Sequence, residues 1–344
     1  MRRKSIKISK DLLTLALVAG LYTVLAFLLY RGSLSRQASN MLIPVSVYVV
    51  MAVSLNLVVG LLGELSLGHA GFMSVGLFSG CLVSIALAER LPDPVRIPLS
   101  MIVGGLVAAV FGFVVGLPAL RLRGDYLAIV TLACCEIIKS MITNLKLTGG
   151  ARGLNIGPAY RDARALLPYA VVLVLLTILV MMNLKKSKQG RAIMAIRDNR
   201  IAAESVGINV TYYKLAVFIL AAFFAGAAGT LYGHCFANVK ATSFDYNLSI
   251  EILVIVVLGG MGSIGGSVFA AILLRVLPEM LRGFQNARML IYAVVLILVM
   301  LATGNPTLKA FFDRFRPARL KKKLSEAILA RKAKADPPQE GGAA

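Results

Sequence analysis

The sequence predicts an all-α fold, a polytopic transmembrane helix bundle of about ten spans with one or two broken helices. Three observations carry that expectation. Of the 344 residues, 58% are hydrophobic and 15% charged, against roughly 25% charged in ordinary soluble domains. The apolar residues gather in runs of membrane-spanning length, with the basic residues between and beyond them. Two glycine-rich stretches, 63–71 and 259–266, interrupt the apolar pattern.

The elements follow in order. Residues 1–10 are basic, and the apolar run 12–30 after them is longer than the roughly 7–15 residues of a secretory core. Arg31-Gly32-Ser33 is a poor cleavage site, so the run reads as a first span and not a removed leader. Further spans are expected at 41–62, 69–88, 97–117, 125–143, 166–183, 212–233, 248–259, 264–281 and 289–303. The eighth and ninth are the doubtful pair, because no charge separates them and the glycines at 259–266 could interrupt a single helix.

Loop charge decides the count. With ten spans and the amino end inside, the cytoplasmic segments hold 23 Lys and Arg and the outer segments 11. Lys139, Lys214 and Arg275 fall inside spans or at their edges. Nine spans would turn Lys321-Lys322-Lys323 outward, against the positive-inside bias. The expected organisation is a cytoplasmic basic amino end (1–10), a transmembrane domain (11–303) with a cytoplasmic loop at about 184–211, and a basic, partly disordered cytoplasmic tail (304–344) beside anionic lipid.

Composition also excludes functions. The net charge of +21 follows the loop pattern of a membrane protein and not the footprint of a nucleic-acid binder. Cys81, Cys134, Cys135 and Cys235 have no CxxC spacing and give neither a disulfide framework nor a zinc signature. Gly260 to Gly265 fits GxGxxG, but between apolar spans it lacks the strand and helix of a dinucleotide site. There is no GxxxxGK[ST], HExxH or GxSxG run, and His69 and His234 are the only histidines. No catalytic residue, metal ligand or cofactor is therefore assigned, and energy for any active transport must enter through another subunit or an ion gradient.

Broken backbone within a membrane is tolerated only where protein buries it or a wet cavity borders it. The two glycine stretches share Gly63-x2-Ser66-x-Gly68-x3-Phe72 and Gly260-x2-Ser263-x-Gly265-x3-Phe269, and six spans between them put both on one membrane side. Internal duplication and chance both account for that echo. Asn56, Glu64, Ser66 and His69 gather around the first stretch, and Glu251 begins the eighth span. Each reads either as a packing residue or as a pathway residue. Glu136 and Lys139, three apart, can pair on one helix face. The outer loop 148–154 reads as a gate, a docking turn or a plain flexible loop.

In the basic segment 185–211, Asp198 or Asn199 can cap a short alanine-rich helix, and Gly207 can supply the left-handed residue beyond its end. Such a helix can seat in a partner's cleft with Lys188, Arg191, Arg197 and Arg200 beside it. A solvated basic loop explains the same residues.

Several blocks taken together resemble the branched-chain amino-acid ABC-importer permeases. They are Ser54-Leu55-Asn56-Leu57-Val58-Val59-Gly60 with the Leu65–Phe72 run LSLGHAGF, Leu120-Arg121-Leu122-Arg123-Gly124-Asp125-Tyr126 through Thr131-Leu132 with Glu136 and Thr148-Gly149-Gly150, Gly190-Arg191-Ala192 through Gly207-Ile208-Asn209, and Leu258-Gly259-Gly260-Met261-Gly262-Ser263. They run in order from about residue 41 to 285 and resemble the LivM-type subunit more than its LivH-type partner. The resemblance implies a bacterial inner-membrane permease subunit working by alternating access, without an ATP-binding motif of its own. Its partners would be ABC ATP-binding subunits, a second LivH-type permease and a periplasmic substrate-binding protein. Its cargo would be a branched-chain amino acid, with relatives for urea, amides and other amino acids and an ion-coupled carrier or channel as alternatives. The ATPase-coupling loop would comprise Gly190, Arg191, Arg197, Asp198, Ala202, Ala203, Glu204 and Gly207, although Ile201 stands where the wider importer pattern has Glu. The candidate pathway is Asn56, Glu64, Ser66, His69, Thr131, Glu136, Gly260, Gly262 and Ser263.

Overall fold

The computed structural model describes residues 10–31, 35–122 and 124–281, with a few isolated positions from 290 to 297. The expected tenth span, the tail 304–344 and nearly all of the amino end lie outside the described residues. Residues 1–280 form one compact unit, and residues 281–344 are a second, almost wholly outside the description.

Within the first unit the chain is helical. α1 (Lys10–Tyr30) and α2 (Arg36–Asn56) meet where the Tyr22 hydroxyl donates to the buried Ser46 Oγ at 2.7 Å. α2 runs on into a wider π-turn, Leu57–Leu62, which ends at Gly63 in the left-handed conformation (φ 80°). An irregular stretch to Gly68 leads into α3 (His69–Ala86), followed by α4 (Asp93–Ala119) and α5 (Asp125–Asn144). After short turns come α6 (Ala163–Lys186), α7 (Lys188–Asp198), α8 (Arg200–Ser205) and α9 (Val210–Gly233). α10 (Tyr246–Gly259) and α11 (Ile264–Met280) complete the unit.

Seven helices among the described residues are long and apolar enough to cross a membrane, with Ala38–Leu62 and Ala241–Gly259 counted as continuous segments. α11 is apolar but has 17 residues. Each helix boundary lies within a few residues of its expected span, because the length of an apolar run is a local property.

The core is the contact of α3, α4 and α9. Lipid tails are as apolar as leucine, so association in a membrane favours small residues that let backbones approach. Gly76 on α3 and Gly226 on α9 meet backbone to backbone, leaving no room for a Cβ at Gly76. The buried Thr230 hydroxyl crosses the same seam and donates to the Gly76 carbonyl at 2.8 Å.

The connections sort to two ends. Residues 63–68, the α7–α8 segment and 260–263 meet at one end. The loops around 87–92, 145–162 and 234–245 meet at the other, where β1 (Leu154–Asn155) pairs antiparallel with β2 (Asn238–Val239). The two glycine stretches thus share one end, as their spacing predicts.

Two expectations are corrected. The glycines at 259–266 do not interrupt a helix: α10 stops at Gly259 and α11 starts at Ile264 after a tight turn, with Gly259 packed on Gly266 and Ser267. Left-handed φ values at Gly260 (88°) and Gly262 (79°) make that reversal possible in four residues. The first irregular stretch is also shorter than 63–71, because α3 already begins at His69.

Candidate functional site

The end where the glycine stretches meet is built from backbone groups that the turns leave unpaired. A π-turn and a glycine reversal expose carbonyls and N–H groups that hydrocarbon cannot satisfy. Asn56, the last residue of α2, answers one set. Its Oδ1 accepts from the Gly262 N–H at 2.8 Å, and its Nδ2 donates to the Ser263 carbonyl at 3.1 Å and the Ser267 hydroxyl at 2.9 Å. One buried carboxamide therefore binds α2 to the α10–α11 turn. Gly60 has no room for a side chain, because a Cβ there would meet the Asn56 carboxamide and the Gly262 backbone.

Two cations, Lys185 in the last turn of α6 and Arg197 in α7, each reach one carbonyl of these turns. Arg197 Nη1 donates to the Gly60 carbonyl at 3.1 Å, and Lys185 Nζ donates to the Gly262 carbonyl at 2.9 Å. A small cavity of about 20 Å³ between Asn56, Leu61, Met181 and Lys185 lies beside them, room for about one water.

The segment itself folds as two short helices. The Ser187 hydroxyl caps α7 by accepting from Gly190 N, and Asn199 Oδ1 caps α8 by accepting from Ala202 N. Asn199 and not Asp198 is therefore the cap; Asp198 pairs with Arg197 at 2.9 Å. Gly207 takes φ 84° just past α8, as the sequence predicts. Ala203 is buried, whereas Ile201 and Val206 are 79% and 74% exposed, so α8 presents an apolar ridge that nothing in the described residues covers. Arg200 pairs with Glu204 at 2.9 Å along the same helix. Gly190 packs on the Leu184 carbonyl, and Arg191 Nη1 reaches the Lys186 carbonyl at 3.3 Å.

The expected pathway residues divide among five places. Asn56, Gly260, Gly262 and Ser263 form the junction just described. Glu64 makes a close ion pair with Lys214 of α9 and keeps its other oxygen buried and unpartnered. His69 Nε2 lies 2.8 Å from the Ser54 hydroxyl, and the neighbouring Ala70 N–H donates to Ser249 Oγ at 3.1 Å. Thr131 Oγ1 accepts from Leu67 N at 3.0 Å and ties α5 to the first irregular stretch, while the nearby Ser66 hydroxyl is buried without a partner.

Glu136 stands apart. It pairs with Lys139, as the spacing predicts, and its Oε1 accepts from Tyr246 N at the start of α10. The 14-residue α10, about 20 Å long, separates it from the junction. Among the described residues no group of three or more His, Cys, Asp or Glu is placed to hold a metal ion.

The opposite end is held differently. Asp93 at the start of α4 pairs with the almost fully buried Arg96, and it accepts from Arg161 Nη2 at 2.8 Å. Arg161 N also donates to the His234 carbonyl at 3.1 Å. His234 donates from Nδ1 to the Thr230 carbonyl at 2.8 Å, and its Nε2 lies 2.9 Å from the Ser84 hydroxyl. Burial lowers its pKa below the ordinary 6.5. The 148–154 loop is not a plain flexible turn. Left-handed Gly149, Gly150 and Gly153 fold it, and the buried Thr148 hydroxyl donates to the Ile142 carbonyl at 2.6 Å.

Sequence reasoning missed Lys185, Ser267 and α7. Lys185 looked like one more inside-rule charge, and the amphipathic run 188–198 was read as loop because its apolar residues are few.

Comparison with known proteins accords with this arrangement. The family model described as branched-chain amino acid transport system / permease component matches residues 37–303. The high-affinity branched-chain amino acid transport system permease protein LivM of Salmonella typhimurium is 35% identical over 306 residues, covering 80% of this chain and 69% of that protein. LivM of Escherichia coli is likewise 35% identical, over 310 residues, with the same coverage. The LivH permease of Salmonella typhimurium is 22% identical over 280 residues, covering 75% of this chain and 91% of its own length. No solved structure matches.

Proposed function

The chain belongs to the branched-chain amino acid transport permease family, and from that premise we propose that it is the LivM-type membrane subunit of an ATP-driven importer for leucine, isoleucine and valine. In this reading the membrane domain has ten spans, with the Arg197 end and both chain termini in the cytoplasm. It works with a second, LivH-type permease, two ATP-binding subunits and a periplasmic substrate-binding protein. The sequence carries no phosphate-binding loop of its own, so ATP hydrolysis belongs to the partner.

One observation carries the mechanism: α7 is bonded to the first turn through Arg197 and the Gly60 carbonyl, and Lys185, in the last turn of α6 directly before α7, is bonded to the Gly262 carbonyl. A partner that seats α8 by its exposed Ile201 and Val206 moves α7 with it. A shift of α7 pulls on the end of α2 through Arg197 and, through the adjoining end of α6, on the α10–α11 turn. Closure of the ATPase subunits is thereby converted into motion of the spans, which opens the route to alternate sides.

Two measurements test this. Purification in gentle detergent should bring down an ATPase and a second permease; a homo-oligomer that transports amino acid without ATP would establish an ion-coupled carrier instead. Replacing the buried Ala203 with Trp should abolish the ATPase stimulation that accompanies uptake, and unaltered coupling in that variant would sink the role of α8.

A further inference from the structure

Three cations lie beyond the terminal turns of the membrane helices, Lys139 in α5, Lys214 in α9 and Arg275 in α11. Two of them are neutralised, Lys139 by Glu136 and Lys214 by Glu64. Arg275 is not. It makes no ion pair among the described residues, and its guanidinium carbon stands 4.5 Å from the centre of the Tyr48 ring on α2. The Tyr48 hydroxyl in turn donates to Oε2 of Glu251 on α10 at a long 3.3 Å. Glu251 likewise makes no ion pair among the described residues. An acid and a base thus contact one buried tyrosine, close enough to feel each other's charge but without a direct ion pair between them.

The depth fits a transport step. Glu251 lies five residues inside α10 from its Tyr246 end, about 8 Å. Arg275 lies eleven residues from the Ile264 start of α11, about 16 Å from the glycine junction. The group therefore sits between the two ends of the bundle, where transporters hold their substrates.

The chemistry fits one class of ligand. A guanidinium offers a planar fork of donors to a carboxylate, and a carboxylate accepts from an ammonium. A molecule carrying both charges on groups attached to one carbon can satisfy both side chains at once. We infer that Glu251 and Arg275, set apart by Tyr48, form an intramembrane site for the zwitterionic head of an α-amino acid, with Arg275 taking the carboxylate and Glu251 the ammonium. The inference rests on the importer reading and adds to it the residues that meet the cargo within the span.

The test uses the complete importer in liposomes, with leucine uptake and binding-protein-stimulated ATP hydrolysis measured together. Glu251→Gln and Arg275→Gln should each lower uptake roughly tenfold or more, as loss of a charge-assisted bond implies, while the complex still assembles and its ATPase is still stimulated. Arg275→Lys should fall between, because the charge survives without the fork. Tyr48→Phe tests the positioning role and should raise the leucine concentration for half-maximal uptake with little change in maximal rate. Wild-type uptake in both Gln variants would overturn the site and leave the importer reading standing. Equal loss of assembly and ATPase stimulation in all four variants would show a structural cluster and overturn it as well. A wild-type complex that moves no amino acid would instead overturn the importer reading, and the site with it.

Discussion

The two ends of the bundle are fastened by different chemistry. At the end carrying Asp93, Arg161 and His234, ion pairs and a strand pair join α4, α6 and α9. At the other, donors from Asn56, Lys185 and Arg197 reach carbonyls on turns, and among the described residues the one ion pair there between distant segments is Glu64 with Lys214. Charges that meet charges hold one arrangement, and removing either member strands the other. A cation on a carbonyl is replaceable by water or by a neighbouring carbonyl at modest cost. We propose that the carbonyl contacts of Lys185 and Arg197 are the ones that exchange during transport, while the Glu64–Lys214 pair and the Asp93 end hold their arrangement.

Four predictions sharpen or break that comparison. Gly60→Val should cost most, about 3 kcal/mol, since its new atoms meet the Gly262 backbone, which cannot swing away, as well as the Asn56 carboxamide. Thermal unfolding in detergent checks this, with Gly20→Ala on α1 as a neutral control, because no atom lies near that position. Asp93→Asn should come next, at about 2 kcal/mol, because it leaves the buried Arg96 unpaired, reduced from the fully buried case by the exposure of Asp93.

Lys185→Met and Arg197→Met should each lower stability by about 1.5 kcal/mol or less, yet sever uptake from ATP hydrolysis. If these variants unfold the protein as severely as Asp93→Asn while coupling persists, the two ends do not differ in the way proposed. The smallest effect concerns pH. The folded pKa of His234 is depressed, so its contribution is present above the unfolded value of 6.5 and is lost as pH falls below it. The unfolding midpoint should therefore drop between pH 7 and 5, and His234→Gln should flatten that slope.

Much of this was legible in the sequence, for reasons that differ by element. The spans were readable because apolar length is counted along the chain. The short helix after Asn199 was readable because its cap and its terminal glycine are local signals. The glycine turns were readable as breaks but not as a hairpin, since the left-handed residues say that the chain bends and not what it bends onto. Asn56 shows the limit: its carboxamide serves groups more than two hundred residues away.

The three cations inside the helices draw the boundary. Glu136 and Lys139 are one turn apart, so helical geometry alone joins them. Lys214 meets Glu64 across 150 residues, and Arg275 meets Tyr48 across the length of the domain. The sequence by itself determined a membrane bundle, the bounds of its described spans, the capped helix after Asn199 and the local Glu136–Lys139 pair. Only the tertiary structure decided which glycine turn Arg197 holds and which charges remain without a partner. The physical reason is that hydropathy and capping act within a few residues, whereas a charge in a membrane is satisfied by whichever helix is packed beside it.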